Sequence, residues 1–275
     1  DVNQMIDEQD LSSGSFMGQD FTLNPSTVFN INDGGVFGMS NYDFNGSTVN
    51  INNGGFFDRS STVSNVTLNV LDGGKMGREL SFFNNSTINI FGGDVGRNFN
   101  AFGGSVINLS GGNLRREFFA HVGSQVNISG GTVGRDFIAF SGSFVNISGG
   151  SIGNNFNASS GSIVDISGGT IGNRFQAAER SEINLFVLDA SVDGNNLGLS
   201  IGETMEIDQR NGALFEATLA DGSFFDLTLN DTFSNGMDFV GSSASFAVTR
   251  IDQIPSPGAI SLISMAGLLA ARRRR

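Results

Sequence analysis

The sequence predicts an all-β fold, a single-stranded β-solenoid (β-helix) of about nine coils of 19 to 20 residues, and two columns of residues carry this prediction. Gly-Gly pairs begin at residues 34, 54, 73, 92, 111, 130, 149 and 168, a first step of 20 residues followed by steps of 19. A polar column, each member followed by an aliphatic residue, runs through Asn30, Asn50, Asn69, Asn89, Asn108, Asn127, Asn146, Asp165 and Asn184. A fixed period of this length is typical of stacked repeats that share one core.

The coil spanning 123–141 shows how one repeat is built. Val126 and Ile128 alternate with polar residues, which predicts a strand with one buried face. Gly130-Gly131 predicts a turn, and Gly134 predicts a second bend, because glycine reaches positive φ at no steric cost. Each coil is therefore expected to hold two or three short strands separated by glycine corners. Two inward columns are predicted, Phe99, Phe118, Phe137, Phe156, Phe175 and Ala101, Ala120, Ala139, Ala158, Ala177.

The composition restricts the chemistry that is open to the chain. Among 275 residues there are 39 glycines and 26 phenylalanines, but one tyrosine and no cysteine or tryptophan. Without cysteine there is neither a disulfide nor a thiolate metal site. The net charge is −12, and four of the fifteen basic residues are the last four of the chain. Nucleic acid is therefore not expected as a partner, since phosphate binding needs a basic stripe.

Four segments are predicted along the chain. Residues 1–13 form an acidic N-terminal lead-in, and residues 14–185 form the solenoid. Residues 186–254 lose the period and carry short alternating runs, which predict a small antiparallel β module that caps the open end of the solenoid. Its clearest element is a hairpin over residues 214–229, with Asp221-Gly222 as the turn. Residues 255–275 form a tail, with a short apolar helix at Ala259–Ala271.

The tail combines three features in a fixed order. Pro255, Ser256, Pro257 and Gly258 come first, the apolar stretch 259–271 follows, and Arg272, Arg273, Arg274 and Arg275 end the chain. Thirteen helical residues span about 20 Å, short of the roughly 30 Å hydrocarbon core of a bilayer. The order resembles the PEP-CTERM sorting tail of exported bacterial proteins, although Ser256 stands where that family usually has glutamate. With the glycine-rich solenoid, the whole chain resembles planctomycete-type surface proteins.

This resemblance implies a location and a partner. It implies export to the cell surface or the extracellular space, with the tail holding the protein in the membrane before processing. It also implies recognition and cleavage of the tail by a membrane-embedded, exosortase-like enzyme. The membrane contact through residues 259–275 would then be transient.

Within the repeat, one short stretch and three single residues could carry chemistry. The stretch 130–137 partly matches a calcium-binding nonapeptide repeat, but the aspartate column varies and a calcium ladder needs a carboxylate at almost every turn. The only histidine, tyrosine and lysine are His121, Tyr42 and Lys75. They fall at different positions of different coils, and His121 is expected at the surface near a corner. We therefore predict no catalytic residue, no metal site and no cofactor.

An arginine column remains as the candidate for binding. Arg78, Arg97, Arg116 and Arg135 occupy one position of four successive coils. The column fits either a solvated row of weak ion pairs or recognition of carbohydrate or sulfate. The main hypothesis is a non-catalytic structural or adhesive protein of the cell surface or extracellular matrix. The alternative is a carbohydrate-binding or polysaccharide-degrading β-helix, with extracellular polysaccharide as partner.

Overall fold

The described residues form a stack of short strands, all of them joined in one hydrogen-bonded β system. A computed structural model describes residues 4–11, 16–17, 21–38, 42–58, 62–83, 85–233 and 236–252. All regular secondary structure in these residues is β-strand.

The strands that follow one another in the repeating part are β1 (Gln4–Leu11), β2 (Phe16–Met17), β3 (Phe21–Ile31), β4 (Val36–Phe37), β5 (Tyr42–Ile51), β6 (Phe56–Phe57), β7 (Thr62–Val70), β8 (Lys75–Met76), β9 (Ser81–Phe83), β10 (Thr87–Ile90), β11 (Asp94–Val95), β12 (Phe99–Ala101), β13 (Val106–Leu109), β14 (Asn113–Leu114), β15 (Phe118–Ala120), β16 (Gln125–Val133), β17 (Phe137–Ala139), β18 (Phe144–Ile152), β19 (Asn157–Ala158), β20 (Ile163–Ile171) and β21 (Gln176–Ala177). The remaining strands are β22 (Glu182–Val192), β23 (Asn195–Asn196), β24 (Thr204–Glu206), β25 (Asn211–Leu219), β26 (Phe224–Asn230), β27 (Phe239–Val240) and β28 (Ser245–Arg250).

The predicted solenoid is confirmed as a parallel one. Equivalent strands of successive turns pair in parallel, for example β13 with β16 and β15 with β17, and the register advances by one 19-residue repeat, as in Asn108 opposite Asn127. Each turn contributes to as many as three strand columns, and the solenoid has about eight turns, fewer than the nine coils predicted. The ladder also includes β1, which pairs in parallel with β3, so pairing begins inside the segment expected as a lead-in.

Both predicted inward columns are confirmed. The five phenylalanines and five alanines are all buried. Neighbouring phenylalanine rings contact one another along the axis, with centroids 4.5 Å apart between Phe118 and Phe137 and 4.9 Å apart between Phe137 and Phe156. These separations lie in the range in which aromatic pairs attract each other beyond simple area burial. The column is therefore a continuous aromatic core through successive turns.

The corners differ from the prediction in one respect. Gly131 adopts positive φ, as expected for the Gly-Gly turn. The second bend, however, does not use positive φ at Gly134; the left-handed residue is Asp136, at φ 66°. Gly134 is required for space instead, because a Cβ there would lie 2.8 Å from the backbone of Arg115. The left-handed position recurs at Glu79, Asn98, Glu117, Asp136, Asn155 and Arg174.

A serine column at the third corner was missed in the sequence. Each serine is buried and donates its hydroxyl to the carbonyl three residues earlier, as Ser143 Oγ does to Phe140 O at 2.6 Å. The same carbonyl also accepts the backbone N–H of the serine, at 3.0 Å for Ser143, so the turn gives the buried hydroxyl a hydrogen-bond partner. The same bond is made by Ser105, Ser124, Ser143, Ser162 and Ser181.

Beyond residue 185 the chain leaves the solenoid and then returns to it. The predicted hairpin is present: β25 and β26 pair antiparallel across Asp221-Gly222, and β25 also pairs antiparallel with β22. After β26, the strands β27 and β28 stack in parallel on β21 and β22. These two strands add a further level to the solenoid, and β24 lies antiparallel along β28.

Two carboxylate side chains accept hydrogen bonds that connect this returning segment to the last repeat. Glu179 accepts hydrogen bonds from the backbone N–H groups of Ser242 and Ser243, at 3.0 and 2.6 Å, and from both hydroxyls. The bonds from Ser243 hold the pKa of Glu179 below its ordinary value. Asp238 similarly accepts bonds from the N–H groups of Phe175 and Thr228, at 2.9 and 3.1 Å.

Candidate functional site

A basic groove runs across the second strand column and the corner that follows it. Its volume is about 790 Å³, and it crosses the turns between residues 56 and 116. Five cations line it, whereas the described part of the groove lining includes one acidic residue. The cations are Lys75, Arg78, Arg97, Arg115 and Arg116, and the acid is Asp94. A chain of net charge −12 thus gathers five of its fifteen basic residues in one place.

The corner backbone keeps the arginine row in register. The N–H of Glu79 donates to the carbonyl of Arg97 at 2.9 Å, and the N–H of Asn98 donates to that of Arg116 at 3.2 Å. These bonds link each left-handed residue to the arginine one turn further on. Neighbouring arginines therefore sit about one strand spacing apart, roughly 4.8 Å at the backbone.

Two of the groove arginines have weak ion pairs. Arg78 Nε lies 3.6 Å from Glu79, and Arg116 Nε lies 3.8 Å from Glu117. All four side chains are more than a third exposed, and exposed pairs of this kind contribute only about 0–1 kcal/mol. Within the described residues, Lys75, Arg97 and Arg115 have no ion pair. The groove therefore keeps cations that an incoming anion could engage.

Arg115 departs from the repeat. The equivalent positions of five other turns hold glycine, namely Gly77, Gly96, Gly134, Gly153 and Gly172, and an earlier turn has Asp58. At Gly96 an added Cβ would lie 2.2 Å from a backbone oxygen of the preceding turn, which explains the preference for glycine. Arg115 breaks this column and sets two exposed or half-exposed arginines side by side on one corner. Arg115 thus adds a cation to the groove at a position where most turns have no side chain.

Stacking like charges costs free energy. Two unit charges about 4.8 Å apart repel each other by roughly 1 kcal/mol in water. The pairs with Glu79 and Glu117 offset part of that repulsion, but nothing equivalent stands beside Arg97, which is followed by Asn98. An anion placed between successive arginines would relieve the remainder.

The floor of the groove carries a cation, a carboxylate and an amide on three successive turns. Lys75 and Asp94 lie opposite each other on β8 and β11, and Asn113 follows on β14. Asn113 donates its side-chain amide to Asp94 Oδ1 at 3.2 Å. The floor thus offers hydrogen-bond donors and acceptors beside the cations of the corner. Lys75, which the sequence analysis treated as isolated, belongs to the same surface as the arginine column.

His121 is only partly at the surface. Its ring stacks between Phe102 and Phe140, with centroids 4.1 and 4.9 Å away and interplanar angles of 6° and 17°. Its Nε2 lies 3.1 Å from Asn100 Oδ1. Burial lowers the pKa of His121 because the charged ring loses water. The expectation of an ordinary surface histidine is corrected: His121 occupies a rung of an aromatic stack on the third face.

The asparagine column forms a side-chain ladder. In most turns the Nδ2 donates to the Oδ1 of the preceding turn, at 2.8 Å for Asn127 to Asn108 and for Asn108 to Asn89. The column changes at Asp165, which is fully buried and accepts from Asn184 at 2.8 Å. Next to it, Asn146 Oδ1 is buried without a hydrogen-bond partner. The ladder is architectural, since most of its amide groups bond to one another.

The predicted sorting residues cannot be placed in this geometry. Pro255, Ser256, Pro257, Gly258 and the four arginines at 272–275 lie outside the described residues. Within the described residues, no group of three or more histidine, aspartate or glutamate side chains could hold a metal ion. Nor does that part of the chain contain a helix long and apolar enough to cross a membrane.

Comparisons with known proteins identify no family. No family model matches the chain, and no curated protein matches it. Among solved structures, a crystal structure of a TibC-catalysed, hyper-glycosylated TibA fragment is similar, with 14% sequence identity and a TM-score of 0.40. The match covers 67% of this chain and 82% of that chain.

Proposed function

We propose that the protein is a non-catalytic, exported structural or adhesive rod of the bacterial cell surface or extracellular matrix. The observation that supports this most directly is the continuity of the inward phenylalanine and alanine columns through successive turns, beside an asparagine ladder that spans most of them. The most regular positions of the repeat serve packing and hydrogen bonding, while its charged positions vary. Such a repeat stabilises length and stiffness through nearest-neighbour contacts.

The same proposal assigns residues 255–275 to sorting. An exosortase-like enzyme would recognise the Pro-Ser-Pro-Gly segment and the arginine cluster, and would remove the tail after transient membrane contact through 259–275. The support is the order of the three sequence features, together with a stretch too short to span a bilayer comfortably.

The sorting proposal can be tested with a reporter. Residues 254–275 are fused behind an exported reporter and expressed in two hosts that differ only in the exosortase. We expect a shorter, surface-located reporter in the host that has the enzyme, and full-length reporter in the other. A matched fusion with the four arginines replaced by glutamine should stay uncleaved. Identical full-length reporter in both hosts would overturn the sorting role.

We propose further that residues 186–252 close the C-terminal end of the solenoid. Support comes from β24, which lies along β28 and covers the edge that the last parallel strand presents. An uncovered edge offers unpaired N–H and C=O groups to other chains. A chain that ends at residue 185 should therefore self-associate in light scattering, and a monomeric truncation would contradict the proposal.

Carbohydrate binding is the second candidate function. The basic groove favours it, because its cations stand beside the hydrogen-bonding floor of Asp94 and Asn113. A binding role is compatible with a structural rod, since an extracellular rod meets surface polysaccharide along its whole length.

A further inference from the structure

The groove lined by Lys75, Arg97 and Arg115 points to a ligand with spaced negative charges. We infer that it binds an acidic polysaccharide, whose sulfate or carboxylate groups contact the cation rows and whose hydroxyls contact the floor. The inference rests on the carbohydrate-binding candidate above and specifies its site and its ligand.

The spacing of the cations supports a chain-like ligand. Arg78, Arg97 and Arg116 occupy the same corner of three successive turns. The N–H groups that follow Arg78 and Arg97 in the chain donate to the carbonyls of Arg97 and Arg116, at 2.9 and 3.2 Å. Two turns therefore span about 9.6 Å, the scale of a disaccharide. A polysaccharide with one acidic group per disaccharide would meet an arginine at every second turn, along the direction of the rod axis.

The polarity of the floor selects for hydroxyl groups. Asp94 carries a negative charge in the midst of five cations, and Asn113 donates to it. A carboxylate accepts hydrogen bonds from sugar hydroxyls but repels phosphates. A nucleic acid, which carries a charge on every residue, would place phosphates against Asp94 and against the acidic body of the chain. A polyol with one acidic group per disaccharide lowers both penalties, because its uncharged hydroxyls can face Asp94.

The unpaired cations give the groove its capacity to bind. Arg97 and Arg115 have no ion pair within the described residues, so an anion displaces no partner from either of them. The pairs at Arg78 and Arg116 are exposed and weak, so they can rearrange around a ligand. Arg115 stands where five other turns have glycine, and it brings a further guanidinium to this surface.

The repeat itself supplies conservative variants for the test. Arg97→Asn introduces the residue that the same column carries at Asn154 and Asn173, and Arg115→Gly restores the column glycine. The matched control removes two charges outside the groove in the same manner. Arg174→Asn copies Asn98 and Asn155 of its column, and Arg180→Gly copies the left-handed glycine of the third corner.

Binding of the full chain to four polymers is measured at low ionic strength by biolayer interferometry. These are κ-carrageenan and hyaluronan, which carry one sulfate and one carboxylate per disaccharide, neutral dextran, and single-stranded DNA. We expect binding to κ-carrageenan, hyaluronan or both, and the comparison tells a sulfate from a carboxylate ligand. Neutral dextran should not bind, and raising the salt should weaken binding because the charges are exposed.

The double groove variant R97N/R115G should lose about tenfold in affinity, while the double control variant R174N/R180G should stay within about twofold of the parent chain. Far-UV circular dichroism checks folding, and R97N alone serves as the test if the double variant unfolds. Equal losses in the two double variants, or an absence of binding to both acidic glycans, would overturn the inference. Tighter groove-dependent binding of DNA would overturn it in favour of a nucleic acid. Since these measurements use purified protein, a failed sorting assay would leave them unaffected.

Discussion

Truncation of one core ring, Phe137→Ala, tests whether the turns act as one stacked core. Phe137 is fully buried, and its ring contacts Phe118 at 4.5 Å and Phe156 at 4.9 Å. Removing a buried phenylalanine side chain costs about 3–5 kcal/mol in transfer and cavity free energy. The loss of two ring contacts places the expected cost near the upper end of that range.

Two variants calibrate this value. Phe137→Leu copies Leu80, which is buried at the same position of an earlier turn, and should cost about 1–2 kcal/mol. Ile138→Ala truncates the adjacent, half-buried residue that points away from the core, and should cost less than about 1 kcal/mol. The three costs should fall in the order Phe137→Ala, Phe137→Leu, Ile138→Ala.

Urea unfolding followed by far-UV circular dichroism is the suitable assay, because the chain has no tryptophan and one tyrosine. A lower m-value in Phe137→Ala would show that the two halves of the rod unfold separately, since m follows the surface exposed in one cooperative step. A cost for Phe137→Ala no larger than that for Ile138→Ala would refute the stacked aromatic core.

Three further predictions concern single positions. Asp165→Asn should raise stability by about 1–2 kcal/mol in urea unfolding, because the new amide can donate to the buried Oδ1 of Asn146; an unchanged or lower midpoint contradicts this. Gly131→Ala should destabilise more than Gly222→Ala. Both glycines have positive φ, but only at Gly131 would the Cβ meet backbone, at 2.7 Å, and equal costs would rule out the close approach. His121→Phe should remove part of the acid sensitivity. Burial lowers the folded-state pKa of His121, so its contribution is complete above pH 6.5 and is lost as the pH falls from there towards the folded pKa; parallel pH profiles for parent and variant would contradict this.

The inward columns could be predicted from the sequence because their chemistry repeats. Phe137 and Ala139 have counterparts every 19 residues, and a buried strand position accepts few residue types. The antiparallel hairpin around Asp221-Gly222 was likewise predictable, because its turn residues and flanking alternation are local signals.

The corners and the end of the rod could not be predicted in the same way. The left-handed position of Asp136 recurs in six turns, where it is occupied by aspartate, glutamate, asparagine or arginine. No single residue type therefore identifies it in the sequence. Gly134 suggested a bend, whereas its real constraint is contact with a neighbouring turn, which is a non-local property. The return of β27 and β28 to the solenoid follows a long excursion, and its pairing depends on contacts across that distance.

The sequence predicted only part of the basic groove. The arginine column was evident from its spacing, but Lys75 and Arg115 occupy other positions of the repeat and were not connected with it. Their grouping depends on how the second strand column and its corner share one surface. A search for residues that break an otherwise constant column would have found Arg115.

The pairing of β28 determines how the rod responds to tension. The hydrogen bonds between β28 and β22 run along the axis of the solenoid. Among the described strands, β28 is the first to bear a force that is applied to the chain after residue 252. Peeling β28 away requires the ladders to β22 and to β24 to break together. Once this strand is lost, the turns behind it can open one after another, each held by a single set of neighbours. We therefore expect the two ladders of β28 to set the force at which the described part of the chain begins to unravel.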